Sequence, residues 1–289
     1  DGLLYTADQI VSAATLKDIV PAFIENSKYN GVAYAVPDLA SARAFFWNKD
    51  ILAKAGIKKG PTTWAELKTD AQLIKSKVPG VYPLGLPLGN EEAQAEFTIW
   101  GGGNGGRLYD PATKKYTLNN AKYLGALQFL RSLVKANLTQ PNPGQCNRTD
   151  CAWSLFAKGK VAMVDGAVFL PDWLSKNGGG AINYGQGAFP HSPGNSDITL
   201  GVQDYFKGYK ANGHQAEIQK YLTFLFQPDN YAGFLKAAGG FIPATSSAGK
   251  AAAKDPIFGP YIKLLPKAIF YPGTVGSWPA CKAKIITYM

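Results

Sequence analysis

The side chains able to do chemistry are few and poorly spaced for it. Histidine occurs only at His191 and His214, and neither stands in a metal-spaced or triad-like setting. There is no Gly-x-Ser-x-Gly elbow and no His-Glu-x-x-His. The run Gly101-Gly-Gly-Asn-Gly-Gly106 has the composition of a phosphate cradle, but Arg107-Leu108 follow where a nucleotide loop ends in Gly-Lys-Ser/Thr. It reads instead as a loop joining a helix to a strand. Glu91-Glu92 form the one adjacent carboxylate pair that stands out, and they read most simply as a solvated loop. Nothing here requires catalysis, so no catalytic residue, metal or cofactor is expected, and the chain reads as a non-enzyme.

Cysteine stands at 146, 151 and 281. Cys146 and Cys151 share the polar stretch after Pro141-Asn-Pro-Gly144, with no matching Cys or His pair for zinc. A small-loop disulfide between them fits and implies an oxidising compartment, the alternative being two reduced thiols in a cytosolic protein. Cys281 stands alone. Lys and Arg exceed Asp and Glu by 30 to 20, but the charges are scattered as at Lys58-Lys59, Lys114-Lys115 and Lys158/Lys160. That distribution is a solvated surface rather than a nucleic-acid stripe. No apolar run reaches the ~18 residues of a membrane helix. The opening Asp1-Gly2 is not a signal peptide and suggests a processed or trimmed product.

The elements alternate between helix and short strand, which predicts an α/β architecture. Asn30-Gly31 marks a tight reversal before a short strand ending at Pro37. Phe45-Phe-Trp47 reads as strand passing into a short helix that stops at Gly56. Thr63-Trp-Ala-Glu66 is a capping box, and Trp64, Leu67, Ala71 and Ile74 form the buried stripe behind it. Val81 to Leu88, interrupted by Pro83 and Pro87, reads as an edge strand. A second amphipathic helix, near 120–136, is expected to face inward through Leu124, Leu127, Leu130 and Val134. A short helix from Cys151 to Lys158, the strand Lys160 to Asp165, and two helices after His214 and Asp229 complete the pattern.

The order of these segments carries a resemblance. Tyr29-Asn-Gly31, Pro37, Trp47-Asn-Lys-Asp50 with Ala55-Gly56, and Pro61-Thr-Thr-Trp-Ala-Glu66 resemble the extracellular solute-binding proteins of family 1, the maltodextrin-binding-protein relatives that serve ABC importers. Phe156-Ala-Lys-Gly-Lys-Val-Ala-Met163 before Asp165-Gly166, Asn183-Tyr-Gly185 through Phe189-Pro190, Gly239-Gly-Phe-Ile-Pro243 and Trp278 agree with it. Relatives carry strand–helix units before the segment matching residue 1 and further helix beyond that around Met289. At roughly 30 residues per unit, two or three units of the first lobe are absent.

The resemblance implies a periplasmic-binding-protein-like fold of two hinge-linked α/β lobes with the ligand between them. Residues 1–37 and 201–268 would form an incomplete first lobe, and 38–200 and 270–289 the second. Chain crossings would fall near Val36–Asp38, Thr199–Gln203 and Tyr271–Gly273. The function implied is a monomeric extracellular or periplasmic receptor, tethered as a lipoprotein, that hands a carbohydrate to the membrane subunits of an importer without binding nucleic acid. By analogy the ligand-binding candidates are Ser41, Glu96, Trp100, Phe169, Trp173, Gly240 and Trp278. Trp100, at the end of an apolar helix, is equally a core residue. Trp278, in Pro272-Gly-Thr-Val-Gly-Ser-Trp-Pro279, is expected on a loop at the cleft mouth. The alternatives are a receptor for an anionic solute such as a glycerol-phosphate compound, using Arg43, Arg107 or Lys207, and an enzyme or adhesion module on the same fold.

Overall fold

One strand of thirteen residues, Val36–Asn48, ties the molecule together; every position except Trp47 is buried, as in strands covered on both faces. The computed structural model describes residues 2–289, so Asp1, the opening residue of the expected first lobe, lies outside it. Val36 to Ala42 pair antiparallel with Thr199–Phe206, and Arg43 to Trp47 pair antiparallel with Val161–Ala167. Tyr184–Gly187 pairs with the end of the same strand, and Ile242–Pro243 with Leu39 and Ala40. Parallel partners flank this assembly, Ala268–Phe270 beside Thr199–Gly201 and Tyr82–Gly85 beside Val161 to Val164. Tyr82–Gly85 is the edge expected from its prolines. The change of partners lies between Ala42 and Arg43, a few residues past the crossing expected at Val36–Asp38. Pro37 does not end the strand. It sits at the second position, where a register shift between Pro37 and Leu39 accommodates its missing N–H.

Local signals explain most helix ends. Thr63 caps Trp64–Lys77 by accepting from the Glu66 N–H at 3.2 Å, and Glu66 Oε2 accepts from the N–H groups of Thr62 and Thr63. That helix buries Trp64, Leu67, Ala71 and Ile74. Asn30 and Gly31 both adopt positive φ, 50° and 81°, at the turn joining Lys28–Tyr29 to Val32–Ala33.

Two expectations are corrected by packing. The helix Ala121–Lys135 buries Tyr123, Ala126, Leu130 and Leu133, while Leu124 and Leu127 are exposed. Tyr123 sets this rotation by stacking on Phe97 at 4.5 Å. Gly101 to Gly103 are not a loop but the last turn of the helix Ala93–Gly103. A Cβ on Gly101 would lie 2.0 Å from the Tyr123 ring, and one on Gly102 2.3 Å from Ile269. The glycines serve close helix packing rather than phosphate. Among the described residues no helix is long and apolar enough to cross a membrane, and no group of three or more His, Cys, Asp or Glu side chains could hold a metal.

Candidate functional site

Where the long strand changes partners it carries a guanidinium into the interior. Arg43 Nη2 donates to both oxygens of Glu92, at 2.9 and 3.0 Å, with both side chains buried. Glu92 also accepts from Arg148, whose Nη2 donates to Glu91 Oε1 at 3.0 Å. The Thr149 N–H and hydroxyl complete the Glu91 shell at 3.1 and 2.6 Å. Glu91-Glu92 is therefore not a solvated pair: two guanidinium groups offset the cost of taking Glu92 out of water. Arg43 is correspondingly engaged and not free to meet an anion. Arg148 arrives on a one-turn π-helix, Arg148–Trp153, beside a disulfide joining Cys146 to Cys151 with Cα atoms 5.3 Å apart; Cys281 is a free thiol. Its guanidinium lies 4.8 Å from the centre of the Trp153 ring and 5.5 Å from that of Phe169.

Two further carboxyls share this interior. Asp165 lies on the strand Val161–Ala167, and Glu96 lies on the Ala93–Gly103 helix with its Oε2 accepting from Trp100 Nε1 at 2.6 Å. Burial, then the neighbouring Asp165 charge, holds Glu96 well above the usual carboxylate range. Burial pushes Asp165 up to about 7, against the opposing pull of Arg43. Glu96 and Asp165 hydrogen-bond to each other through a shared proton, and the Tyr271 hydroxyl meets the Gln94 side chain; the Nε groups of Arg43 and Arg148 and Gln203 Nε2 have no hydrogen-bond partner within the protein. Proteins rarely leave buried donors unpaired, and of these three Gln203 belongs to a cavity wall.

Tyr271 connects this interior to a cavity of about 350 Å³. Asn26, Tyr34, Gln203, Tyr205, Tyr271 and Trp278 are among the residues of its wall. Gln203 Oε1 accepts from Asn26 Nδ2 at 2.8 Å and from the Tyr205 hydroxyl at 3.1 Å, which orients its amide and leaves Nε2 unpaired. Tyr271 stacks on Trp278 with ring centres 5.1 Å apart. The wall thus combines aromatic faces with a fixed planar amide.

The structure disperses the seven sequence candidates. Trp278 lines the cavity, but from the first residue of the helix Trp278–Tyr288 rather than from a loop; Pro279 suits a first helical turn, where no N–H partner is needed. Ser41 is buried on the long strand opposite Val202, itself a cavity residue. Glu96 joins the buried carboxyls. Trp100 packs on Trp64 and Phe129, at 6.3 and 5.9 Å, and spends its N–H on Glu96, as a core residue does. Phe169 lies under Arg148 and 5.1 Å from Phe241, while Trp173 meets Trp153 edge-on at 5.5 Å. Gly240, at φ +95°, lines a separate groove of about 870 Å³ with Tyr231, Phe241 and Phe258. Sequence reasoning missed Glu92, Arg148, Asp165, Gln203 and Tyr271. Two of them left a signal: Glu92 in the adjacent carboxylate pair read as solvated, and Asp165 as a charge interrupting the apolar run from Val161.

Comparison with known proteins fixes the class. A model of the bacterial extracellular solute-binding protein family matches residues 2–232, and the chain belongs to that family. Putative binding proteins of Brucella abortus and Brucella suis are 32% identical over 257 residues, covering 88% of this chain. The chain spans 61% of their length. The sn-glycerol-3-phosphate-binding periplasmic protein UgpB of Rhizobium meliloti is 27% identical over 77% of this chain and 52% of its own. Two solved structures superpose on 99% of the chain: the GacH receptor of Streptomyces glaucescens, with a TM-score of 0.81 and 22% identity over 72% of its length, and a solute-binding protein of Thermotoga lettingae bound with α-D-tagatose, at 0.86 and 20% over 74%. The fold is therefore the two-lobed α/β fold of solute-binding proteins.

Proposed function

We propose that this chain is the ligand-binding part of an ABC importer's receptor, working outside the cytoplasmic membrane and taking a carbohydrate. Residues 1–37 with 201–268 and 38–200 with 270–289 are the two lobes, and contacts to both favour the closed form that the membrane subunits recognise. One observation carries the sugar reading. The cavity stacks Tyr271 on Trp278 beside the Gln203 amide, the combination of apolar shelf and planar hydrogen-bonding group that a pyranose ring needs. The unpaired Gln203 Nε2 adds a free donor for a sugar hydroxyl to that wall. The GacH receptor, described in complex with acarbose, and the tagatose-bound protein share the fold.

A second reading, an anionic solute, is favoured by the relatives named for sn-glycerol 3-phosphate and by Lys207 in the cavity wall. Against it, Arg43 and Arg148 are committed to Glu91 and Glu92. Thermal unfolding against a panel of sugars and phosphorylated polyols separates the two. The cognate solute stabilises the fold by about 2.7 kcal/mol at a hundred times its dissociation constant. A shift with glycerol 3-phosphate and none with any sugar makes the second reading the right one.

A further inference from the structure

The bridged turn that presents Arg148 also holds the chain leading into the helix Ala93–Gly103. Leu88 and Gly89 donate their N–H groups to the carbonyls of Pro143 and Cys146, both at 3.0 Å. The Glu91 N–H meets Asn147 Oδ1 at 3.4 Å, and the Glu91 carboxylate accepts from Arg148 Nη2 and from both donors of Thr149. The two segments run close together: a Cβ on Gly89 would lie 2.5 Å from Asn147 Oδ1 and 2.9 Å from the Cys146 carbonyl. Residues 88–92 are thus gripped along their length by residues 143–149, and the disulfide ties Cys146 in that segment to Cys151.

From there the contacts pass to the cavity. Glu92 makes no side-chain cap bond to its helix, its carboxylate being engaged by Arg43 and Arg148, so the start of the helix is held from outside. Gln94, in the first turn, is buried, and its Nε2 donates to the Glu91 carbonyl at 3.2 Å. The same amide meets the Tyr271 hydroxyl. Tyr271 follows the strand Ala268–Phe270 and stacks on Trp278 in the cavity wall. The χ2 torsion of a tyrosine is soft, so a contact at the hydroxyl end decides how the ring is tilted. Whatever fixes the Gln94 amide therefore fixes the aromatic face shown to the cavity.

Resting on the reading of this cavity as the ligand site, we infer that Gln94 is a positioning residue through which the Cys146–Cys151 bridge acts on the cavity. The bridged turn holds Glu91, Glu91 holds Gln94, and Gln94 holds Tyr271 against Trp278. The shape of the cavity then follows the oxidation state of the bridge. A dithiol reductant breaks the S–S bond by supplying two electrons and two protons; the protein gains two thiols and the reductant closes into its own disulfide. Cys146 is buried and Cys151 half-buried, so the attack falls on the sulfur of Cys151. The single π-helical turn Arg148–Trp153, a rare geometry, then loses the bond that closes it.

Fluorine NMR of the protein labelled with 3-fluorotyrosine tests this without a ligand, the Tyr271 resonance being the one that Tyr271→Phe removes. Dithiothreitol, the paired Cys146→Ser and Cys151→Ser variant, and Gln94→Met, which keeps the length and loses both amide contacts, all displace that resonance. The resonance of Tyr221, exposed on the helix Gln215–Leu225, stays in place. In Gln94→Met, dithiothreitol displaces the Tyr271 resonance no further, because two changes on one path do not add. A Tyr271 resonance that keeps its parent position on reduction, or one that moves equally in the parent and in Gln94→Met, overturns the inference. Collapse of the whole spectrum on reduction overturns it too, since the bridge would then hold the fold rather than the cavity. If the serine pair fails to fold, the reduced parent and Gln94→Met decide the matter. The carbohydrate reading stands or falls separately, on the thermal unfolding panel above.

Discussion

Arg43 grips Glu92 through both carboxylate oxygens, at 2.9 and 3.0 Å, across 49 residues of sequence. The pair joins the long strand to the residue that caps the Ala93–Gly103 helix, and Arg148 holds the same carboxylate from a third element. Its worth lies less in net stability than in position. A buried ion pair roughly balances its desolvation, but removing one partner leaves the other charge stranded.

Glu92→Gln is therefore expected to destabilise the fold by about 3–5 kcal/mol, because Arg43 stays buried without its counter-charge. The double change Arg43→Met with Glu92→Leu recovers much of that loss. Urea unfolding of both variants checks it. If the double variant is no more stable than the single one, the loss came from packing and the account of a stranded charge is wrong.

The disulfide sets a second expectation. Cys146 and Cys151 are five residues apart, and closing so short a loop contributes about 2 kcal/mol by the chain-entropy relation. Denatured, unreduced protein should titrate one thiol, that of Cys281. Because the bridged turn delivers Arg148, the paired serine variant should also loosen the contact of Arg148 with Glu91 and Glu92. In a background of Arg148→Gln, reducing the bridge should then cost noticeably less than it does in the parent. Equal losses in both backgrounds would show that the bridge does not act through Arg148.

A third expectation concerns pH. Asp165 and Glu96 both hold their protons more tightly folded than unfolded, since burial disfavours their charged forms. Between the ordinary carboxylate value of about 4 and the folded Asp165 value the native state binds more protons than the unfolded chain, so stability falls as pH rises. The contribution is complete below about pH 4 and is lost as pH passes through about 7. Asp165→Asn, which keeps the shape and cannot ionise, should lessen the drop in melting temperature between pH 5 and pH 8. Some drop remains, because burial also raises Asp38 and Asp70 to about 6. A variant whose drop equals that of the parent rules Asp165 out as the group responsible.

What the sequence disclosed follows a physical divide. Signals acting within one turn of chain were legible: the Thr63–Glu66 capping box, the Asn30-Gly31 reversal and the Gly56 stop all form from neighbours. The segment order also led to the family. Features that depend on distant partners were not legible. Gly101 looked like a loop because its reason for lacking a side chain, the Tyr123 ring, lies on another helix. Glu92 looked solvated because its partners come from Arg43 and Arg148. Leu124 and Leu127 fit an inward stripe by spacing, yet the actual stripe is set by where Tyr123 meets Phe97. In the candidate site, the aromatic type of Trp278 could be read but not its helical setting, while Tyr271 and Gln203 gave no local sign.

Trp278 carries the last prediction, since a shelf and a core residue respond differently to truncation and this side chain has features of both. It is 7% accessible, packs in a small cluster with Phe97, Leu108, Tyr123 and Ile285, and stacks on Tyr271. It also lines the cavity, so part of its surface faces that space. Trp278→Ala should therefore lower stability without ligand by about 3–5 kcal/mol, the usual cost of emptying a buried tryptophan site. The same change should weaken the binding of the cognate sugar by a further 1–3 kcal/mol or about that, the range for losing a buried aromatic face. Trp278→Phe separates the two effects: it keeps an aromatic ring beside Tyr271, so most stability returns, while the narrower shelf leaves affinity only partly restored. Urea unfolding and calorimetric titration on the same preparations supply both numbers. A large stability loss with unchanged affinity assigns Trp278 to the core alone and moves the ligand away from this cavity. An affinity loss with unchanged stability would show that the Phe97–Tyr123 cluster does not depend on it.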